Sequence, residues 1–199
     1  MHHLAIFASG TGSNAVKMIE HFEHNPEISV SVVVSNKPGA PVLAKAAELG
    51  VATELIDKKA FFESDDILKL LEKYGVDFVV LAGFLWLVPA SLVRAYERRM
   101  VNIHPALLPK FGGKGMYGMH VHRAVKQAGE RHSGITIHFV NEHYDQGDIV
   151  FQATCPVLQS DTPEDIASKV QRLEHHYYPL VVEQLLTRLP KPSEVVAKH

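Results

Sequence analysis

The alternation of short apolar runs with amphipathic segments is the feature that most restricts the fold of this chain. Runs rich in apolar and β-branched residues at 3–8, 28–35, 51–56 and 77–82 are typical of buried strands, and helical spacing of apolar residues lies between them. Parallel strands need such crossover helices, and the crossovers are right-handed. The pattern therefore predicts a doubly wound, Rossmann-like, mostly parallel α/β sheet, which binds ligands at the carboxyl ends of its strands.

The second half of the chain predicts a change in the sheet. A short strand at 100–103 is followed by a long loop rich in Pro and Gly at 105–118. Two alternating runs, 134–141 and 149–156, flank turn residues at 145–148. Two strands joined in this way pair with each other directly. We expect an antiparallel C-terminal extension of the same sheet.

The end of the chain predicts a helix within one domain. Residues 162–165 read Thr-Pro-Glu-Asp, a capped helix start, and Pro179 is expected to interrupt or bend the helix that follows. The 199 residues fit a single domain. We assign residues 1–188 to that domain and 189–199 to a flexible tail.

Composition and charge exclude several classes of protein. The net charge is -2 and the basic residues are scattered, so no nucleic-acid partner is predicted. The longest apolar stretch, 78–89, is too short for a membrane span, which needs about 20 residues, and no apolar leader opens the sequence. A cytoplasmic location is expected. Cys155 is the only cysteine and lies in an alternating run, where it is expected to pack as a small hydrophobic residue.

The thirteen histidines do not form a recognisable metal motif. The densest clusters are His120-x-His122 and a Glu-His-His sequence at 174–176, with no His-Glu-x-x-His helix and no cysteine framework. No metal is predicted. His120 and His122 remain candidates for lining a site, and His138, in an alternating strand, suits a structural role at least as well as a catalytic one.

A glycine-rich turn follows the first predicted strand. Gly12, Ser13 and Asn14 lie where a helix begins, so unpaired amides and side-chain donors can bind a phosphate. The spacing lacks the third glycine of a dinucleotide fingerprint and the Gly-Lys-Ser/Thr of a P-loop. The structural alternative is a tight turn with Ser13 as the helix cap.

Three polar residues suggest an acid–base centre. Asn102 and His104 are two apart on an extended segment and face the same side, where an amide and an imidazole can stabilise an oxyanion and move a proton. A polar pair at a strand end is just as often structural. Asp145 either caps its own turn or lies against His104 and raises the imidazole pKa, and Asp148 is the rival carboxylate.

Four motifs in order carry a resemblance to a known family. They are Gly-x-Gly-Ser-Asn, Leu-Ala-Gly-Phe, Asn-Ile-His-Pro-x-Leu-Leu-Pro and an Asp-x-Gly turn, and from about residue 3 to 186 the chain resembles folate-dependent formyltransferases that act on glycinamide ribonucleotide. The resemblance implies formyl transfer from 10-formyltetrahydrofolate to the amine of 5'-phosphoribosylglycinamide in purine biosynthesis. It also implies small-molecule substrates only, no metal, and a monomer or homodimer.

The resemblance assigns roles to individual residues. The amine attacks the formyl carbon directly, Asn102 and protonated His104 stabilise the tetrahedral intermediate, and Asp145 keeps the imidazole charged. The alternatives are formyltetrahydrofolate hydrolysis or another formyl transfer on the same site, and, more remotely, a nucleotide-binding Rossmann module. The implied binding residues are Gly12, Ser13 and Asn14 for the phosphate, Glu174 for the glycinamide, and Leu85, Trp86, Leu87, Val88 and Asn102 for the folate.

Overall fold

A seven-stranded mixed sheet forms the centre of the computed structural model, which describes residues 1–189. Apart from Leu189, the tail expected at the end of the chain lies outside the described residues. The strands are, in chain order, β1 (His2–Phe7), β2 (Ile28–Ser35), β3 (Ala52–Leu55), β4 (Phe78–Leu81), β5 (Met100–His104), β6 (His132–Phe139) and β7 (Ile149–Pro156).

The order of the strands confirms the predicted doubly wound topology. Across the sheet it is β3-β2-β1-β4-β5-β6-β7, and the first five strands pair in parallel. The strand β6 is antiparallel to both β5 and β7, as expected for the C-terminal extension. The chain winds outward from β1 to one edge and then from β4 to the other. Such a reversal leaves a crevice at the carboxyl ends of β1 and β4.

Helices cover both faces of the sheet, and three of them are not indicated by the sequence patterns. The helices α3 and α5 have only five and six residues, too few to show a helical period, and α6 directly follows the long glycine-rich loop. The helices are α1 (Ser13–Phe22), α2 (Pro41–Glu48), α3 (Lys58–Phe62), α4 (Asp66–Lys73), α5 (Ala90–Ala95), α6 (Met119–Gln127) and α7 (Pro163–Leu186).

The central strands are buried on both faces, as their continuous apolar runs predict. In β1, Leu4 and Ile6 belong to one hydrophobic core with α1, α2, α6 and α7. Ala5 and Phe7, which point to the opposite face, belong to a second core with α3, α4 and α5. Two cores on one sheet make a rigid support for the loops at its carboxyl edge.

The helix α7 begins as predicted but does not stop at Pro179. The Thr162 side chain accepts a hydrogen bond from the Asp165 amide at 3.1 Å, and the Asp165 carboxylate accepts one from the Thr162 amide at 2.8 Å. Of the interruption or bend expected at Pro179, the interruption is wrong, because α7 is continuous for 24 residues. A proline inside a helix costs about 3 kcal/mol. Here Pro179 and its neighbour Tyr178 are buried, and their packing offsets that cost.

Candidate active site

A cleft of about 1030 Å³ opens at the carboxyl ends of β1, β4 and β5. The glycine turn after β1, the segment after β4, the end of β5 and one side of α7 form its walls. Every residue predicted for the site lines this cleft: Gly12, Ser13, Asn14, Leu85, Trp86, Leu87, Val88, Asn102, His104, Asp145 and Glu174.

Asp145 lies against both polar residues of β5. Its Oδ2 atom is 3.4 Å from Nδ1 of His104, and its Oδ1 atom accepts a hydrogen bond from Nδ2 of Asn102 at 3.4 Å. The side chain is 10% exposed, in a backbone conformation with φ 55°. Asp148, the rival carboxylate, is exposed and forms an ion pair with Arg98 at 3.2 Å. The structure therefore selects Asp145 as the partner of His104.

His138 is a fourth member of this centre. It faces Asn102 across the β5–β6 pair, its Nε2 atom lies 3.2 Å from Nδ2 of Asn102 and 3.6 Å from the Asp145 carboxylate, and it is buried. Its Nδ1–H donates to the Phe139 carbonyl at 2.8 Å, so Nε2 is the ring nitrogen that faces both the Asn102 amide and the Asp145 carboxylate. The alternating pattern left the role of His138 open between structural and catalytic, and only the strand register shows Asn102 as its neighbour.

The backbone of the loop at 105–118 contacts both His104 and Asp145. The Phe111 carbonyl accepts a hydrogen bond from Nε2–H of His104 at 2.7 Å. The Gly113 amide donates to Oδ2 of Asp145 at 2.9 Å. These are main-chain groups, which no side-chain motif could have indicated. With Nε2 protonated, Nδ1 of neutral His104 is the atom that can take up a proton beside the Asp145 carboxylate.

Burial and charge act against each other in this centre. Burial lowers the pKa of His104 below its ordinary value of 6.5, although the Asp145 charge and the Phe111 carbonyl oppose that shift. The expectation that Asp145 raises the imidazole pKa is correct for the pair alone, but desolvation outweighs it. For Asp145, burial acts to raise the pKa, and the hydrogen bond with His138 and the charge of His104 outweigh it, so the pKa is lowered. Near neutral pH, the Asp145 carboxylate is thus ionised and the His104 imidazole beside it is mostly neutral.

The glycine turn has the geometry of an anion site. Gly12 is the residue before α1, at φ 72°, and a Cβ there would overlap the side chain of Val42. No side chain caps this helix, so the structural alternative in which Ser13 is the cap is wrong. Amides in the first turn of a helix have no carbonyl partner within the helix and attract anions. Lys45 adds a positive charge nearby, with its Nζ atom 2.9 Å from the Thr11 carbonyl.

Asn14 and Glu174 meet at the α1–α7 side of the cleft. The Asn14 amide nitrogen donates to the Glu174 carboxylate at 2.9 Å. Burial raises the pKa of Glu174, and the Asn14 hydrogen bond only partly opposes that shift. The Asn14 Oδ1 atom is buried and has no partner among residues 1–189. The side-chain nitrogen of Asn14 is thus occupied by Glu174, so it is the Asn14 backbone amide that suits a phosphate.

The segment after β4 forms a flat apolar wall. Trp86 packs on Phe61 and Phe62 of α3, with ring centroids 5.4 Å apart in each case. The Leu85 amide donates to the Ser9 hydroxyl at 3.0 Å. Within residues 1–189, the backbone of Leu87 makes no hydrogen bond and so can pair with a ligand. Apolar side chains beside free main-chain groups suit a flat heterocycle.

The other histidines of the sequence analysis differ in position. His122 is 6% exposed, lines the cleft, and has an Nδ1 atom without a partner in the described chain. Burial lowers its pKa, and the nearby His104 lowers it further. His120 packs edge-on against Tyr117, with centroids 5.4 Å apart. Within residues 1–189, no three potential ligands are grouped to hold a metal, and no helix is long and apolar enough to cross a membrane.

Comparison with known proteins identifies the family. The model of the formyl transferase family matches residues 2–182. The chain belongs to the formyl transferase family. This formyl transferase is 35% identical to phosphoribosylglycinamide formyltransferase of Escherichia coli (strain K12), over 90% of the chain and 84% of that relative. It also resembles the crystal structure of glycinamide ribonucleotide transformylase 1 from Symbiobacterium toebii, with a TM-score of 0.85 and 32% identity over 96% of this chain and 90% of that one.

Plant relatives are more similar in sequence but longer. The chloroplastic phosphoribosylglycinamide formyltransferase of Arabidopsis thaliana is 45% identical over 90% of this formyl transferase. The chain spans 63% of the length of that relative, and 60% of the length of the Vigna unguiculata enzyme.

Proposed function

We propose that this formyl transferase moves the formyl group of 10-formyltetrahydrofolate to the amine of 5'-phosphoribosylglycinamide, a step of de novo purine biosynthesis. The observation that carries the proposal is the contact of Asp145 with both Asn102 and His104, between an anion-binding turn and a flat apolar wall. The names of the relatives from Escherichia coli and Arabidopsis thaliana support the choice of substrate.

The two substrates take opposite walls of the cleft. The backbone amides of Gly12, Ser13 and Asn14 bind the phosphate, and Glu174 binds the glycinamide end. The pterin ring of the folate lies along Leu85, Trp86, Leu87 and Val88, with Asn102 at the inner end of this wall. The amine and the formyl carbon then meet at β5.

The reaction is a direct acyl transfer. The neutral amine attacks the formyl carbon, a C–N bond forms, and the carbonyl oxygen becomes an alkoxide. The Asn102 amide and the positive charge of the His104 imidazolium stabilise that oxygen. The attacking nitrogen loses a proton, a proton reaches the folate nitrogen as its bond to carbon breaks, and the carbonyl re-forms.

His104 is the proton carrier in this scheme. Burial lowers its pKa, and Nδ1 is the ring nitrogen that can accept a proton. The proton released by the amine passes, through water, to Nδ1, where the Asp145 carboxylate at 3.4 Å stabilises it. The same proton then goes to the leaving nitrogen, so the centre returns to its resting state. No covalent enzyme intermediate is needed.

A second candidate is hydrolysis of the formyl folate in the same cleft. Water would then replace the amine, and the phosphate turn would have no function. A nucleotide-binding Rossmann module is less well supported, because the residues at the end of β2, Ser35, Asn36 and Lys37, include no acid to bind a ribose. For the whole protein we propose a formyltransferase domain at 1–188, a cytoplasmic location, and a monomer or homodimer.

The decisive assay measures release of tetrahydrofolate by the purified protein. We expect release from 10-formyltetrahydrofolate only when glycinamide ribonucleotide is also present. Release without the amine would identify a hydrolase, and no release in either case would refute formyl transfer. Trp86, the only tryptophan of the chain, provides a separate fluorescence signal for folate binding.

Asp145→Asn tests the proton step. Asparagine tolerates the φ of 55° at this position, so the backbone can be kept while the charge is lost. We expect turnover to fall by about 10²- to 10⁴-fold, the usual contribution of general acid–base catalysis. Asp148→Asn is the matched control and should keep full turnover. Equal activity of the two variants would refute the role of Asp145.

A further inference from the structure

We infer that the hydroxyl of Tyr178 is a positioning group that fixes the two substrate-binding walls relative to each other. The inference rests on the proposed function, because it concerns the alignment of the two substrates. Tyr178 does not line the cleft, so it acts through the main chain of the elements that do.

The Tyr178 hydroxyl joins the last residue of β4 to the second residue of β5. The side chain is fully buried, and its O–H donates to the Leu81 carbonyl at 2.9 Å and, sharing the same proton, to the Val101 carbonyl at 3.3 Å. Each carbonyl directly precedes part of the site. The chain after Leu81 becomes the folate wall, and the residue after Val101 is Asn102. The Tyr178 hydroxyl therefore adds a contact from α7 to the two paired strands that carry the folate wall and the catalytic amide.

The same side chain links these strands to the other substrate. Tyr178 is one turn after Glu174 on α7, and Glu174 is the residue that we assign to the glycinamide. Burial raises the pKa of Tyr178 well above its ordinary value, and the Glu174 charge raises it further, so the hydroxyl remains a donor. β4, β5 and α7 thus meet at one hydrogen bond.

Tyr96 offers a matched comparison within the same protein. It is also buried, and its hydroxyl donates to the Val76 carbonyl at 2.9 Å. That bond connects the end of α5 with the turn before β4, and neither residue lines the cleft. Replacing either tyrosine with phenylalanine keeps the ring and removes one buried hydroxyl. Only the Tyr178 replacement removes a contact between elements that carry the site.

Loss of the Tyr178 hydroxyl should affect turnover more than binding. Each substrate makes most of its proposed contacts with one wall, so each can still bind when the walls shift. Their reacting atoms will be misaligned, and a misplacement of about 1 Å can cost about 100-fold in rate. A purely structural role predicts equal behaviour of the two tyrosine variants.

The experiment compares Tyr178→Phe with Tyr96→Phe in the full chain. Turnover of the wild type is measured first, because its absence would refute the proposed function rather than this inference. We then expect similar melting temperatures for both variants, and folate affinity by Trp86 fluorescence within about twofold of the wild type. The kcat of Tyr178→Phe should fall at least tenfold, on the order expected from misalignment, with both KM values within about twofold. Tyr96→Phe should keep the wild-type kcat.

Two results would overturn the inference. One is an equal kcat for the two variants in an active wild-type background. The other is a loss of kcat in Tyr178→Phe that only matches its loss of folded protein, measured by circular dichroism at the assay temperature.

Discussion

Gly12 shows how much a single residue decides in the glycine turn that we propose for the phosphate. Its φ of 72° lies in the left-handed region, and Val42 of α2 fills the space where a side chain would lie. Gly10, two residues earlier, has neither restriction. The close approach of α2 holds the turn so that the amides of α1 face the cleft.

Gly12→Ala should therefore damage both stability and phosphate binding. The left-handed conformation alone costs a residue with a Cβ about 1–2 kcal/mol, and the overlap with Val42 adds to it. We expect a lower melting temperature and a KM for glycinamide ribonucleotide raised at least tenfold, about 1.4 kcal/mol of binding energy. Gly10→Ala, the control, should change neither. A Gly12→Ala variant with wild-type melting and KM would contradict this account of the turn.

Glu174 is a carboxylate whose burial makes the fold depend on pH. Its pKa is raised in the folded protein, so its ionisation opposes folding. The stability that the buried Glu174 side chain contributes is fully present below its ordinary pKa of 4.5. It is lost as the pH rises through the raised pKa of the folded protein.

Glu174→Gln should be more stable than the wild type at pH 8, and the difference should shrink as the pH falls through the raised pKa and vanish below about 4.5. The KM for glycinamide ribonucleotide should rise by about 10- to 100-fold, because a hydrogen bond to a charged group is lost. Thermal melts from pH 4 to pH 8 measure the first effect, with Glu23→Gln, exposed at the end of α1, as the control. If the variant were less stable than the wild type at pH 8, the contacts of the Glu174 carboxylate would have to stabilise its charge by more than burial destabilises it.

At the scale of elements, the strand β6 fixes the loop that follows β5. Thr136 of β6 is fully buried, and its hydroxyl donates to the Ala106 carbonyl at 2.7 Å and accepts from the Leu108 amide at 3.0 Å. Gln152 of β7 donates to the same hydroxyl at 2.9 Å. The antiparallel extension thus anchors the loop whose backbone reaches His104 and Asp145.

Thr136→Val keeps the shape of this residue and removes its hydroxyl. Leaving buried main-chain groups without partners costs about 1–3 kcal/mol, so we expect a loss of that size in urea unfolding. The exposed Thr154→Val on β7 should change stability by less than about 0.5 kcal/mol. Unchanged unfolding of Thr136→Val would mean that water satisfies these groups.

For the whole molecule, the parts that the sequence predicts are those with a local cause. Period-2 and period-3.6 patterns predict the strands and longer helices, and Thr162 with Asp165 predicts the start of α7. The helix continues past Pro179 because packing with distant strands outweighs a local preference. Asn102 and His104 were predicted to face one side because they share one strand, and the family resemblance favoured Asp145 as their neighbour.

What the sequence did not predict depends on contacts between distant segments. His138 joins the centre through the β5–β6 register, and Tyr178 lies 97 and 77 residues from the two carbonyls to which it donates. Phe111 and Gly113 contribute main-chain atoms, so their side chains carry no signal. The net pKa of His104 depends on burial, which spacing alone does not give.

The loop contacts at Phe111 and Gly113 have a consequence for how the enzyme can be observed. The carbonyl raises the proton affinity of His104, and the amide lowers that of Asp145. If the loop moved away, the proton affinity of His104 would fall and that of Asp145 would rise. The two affinities would then be closer, so proton transfer between the two side chains would need less energy. The difference between the pKa values of His104 and Asp145, measured by NMR, therefore reports how close the loop lies to β5 in solution.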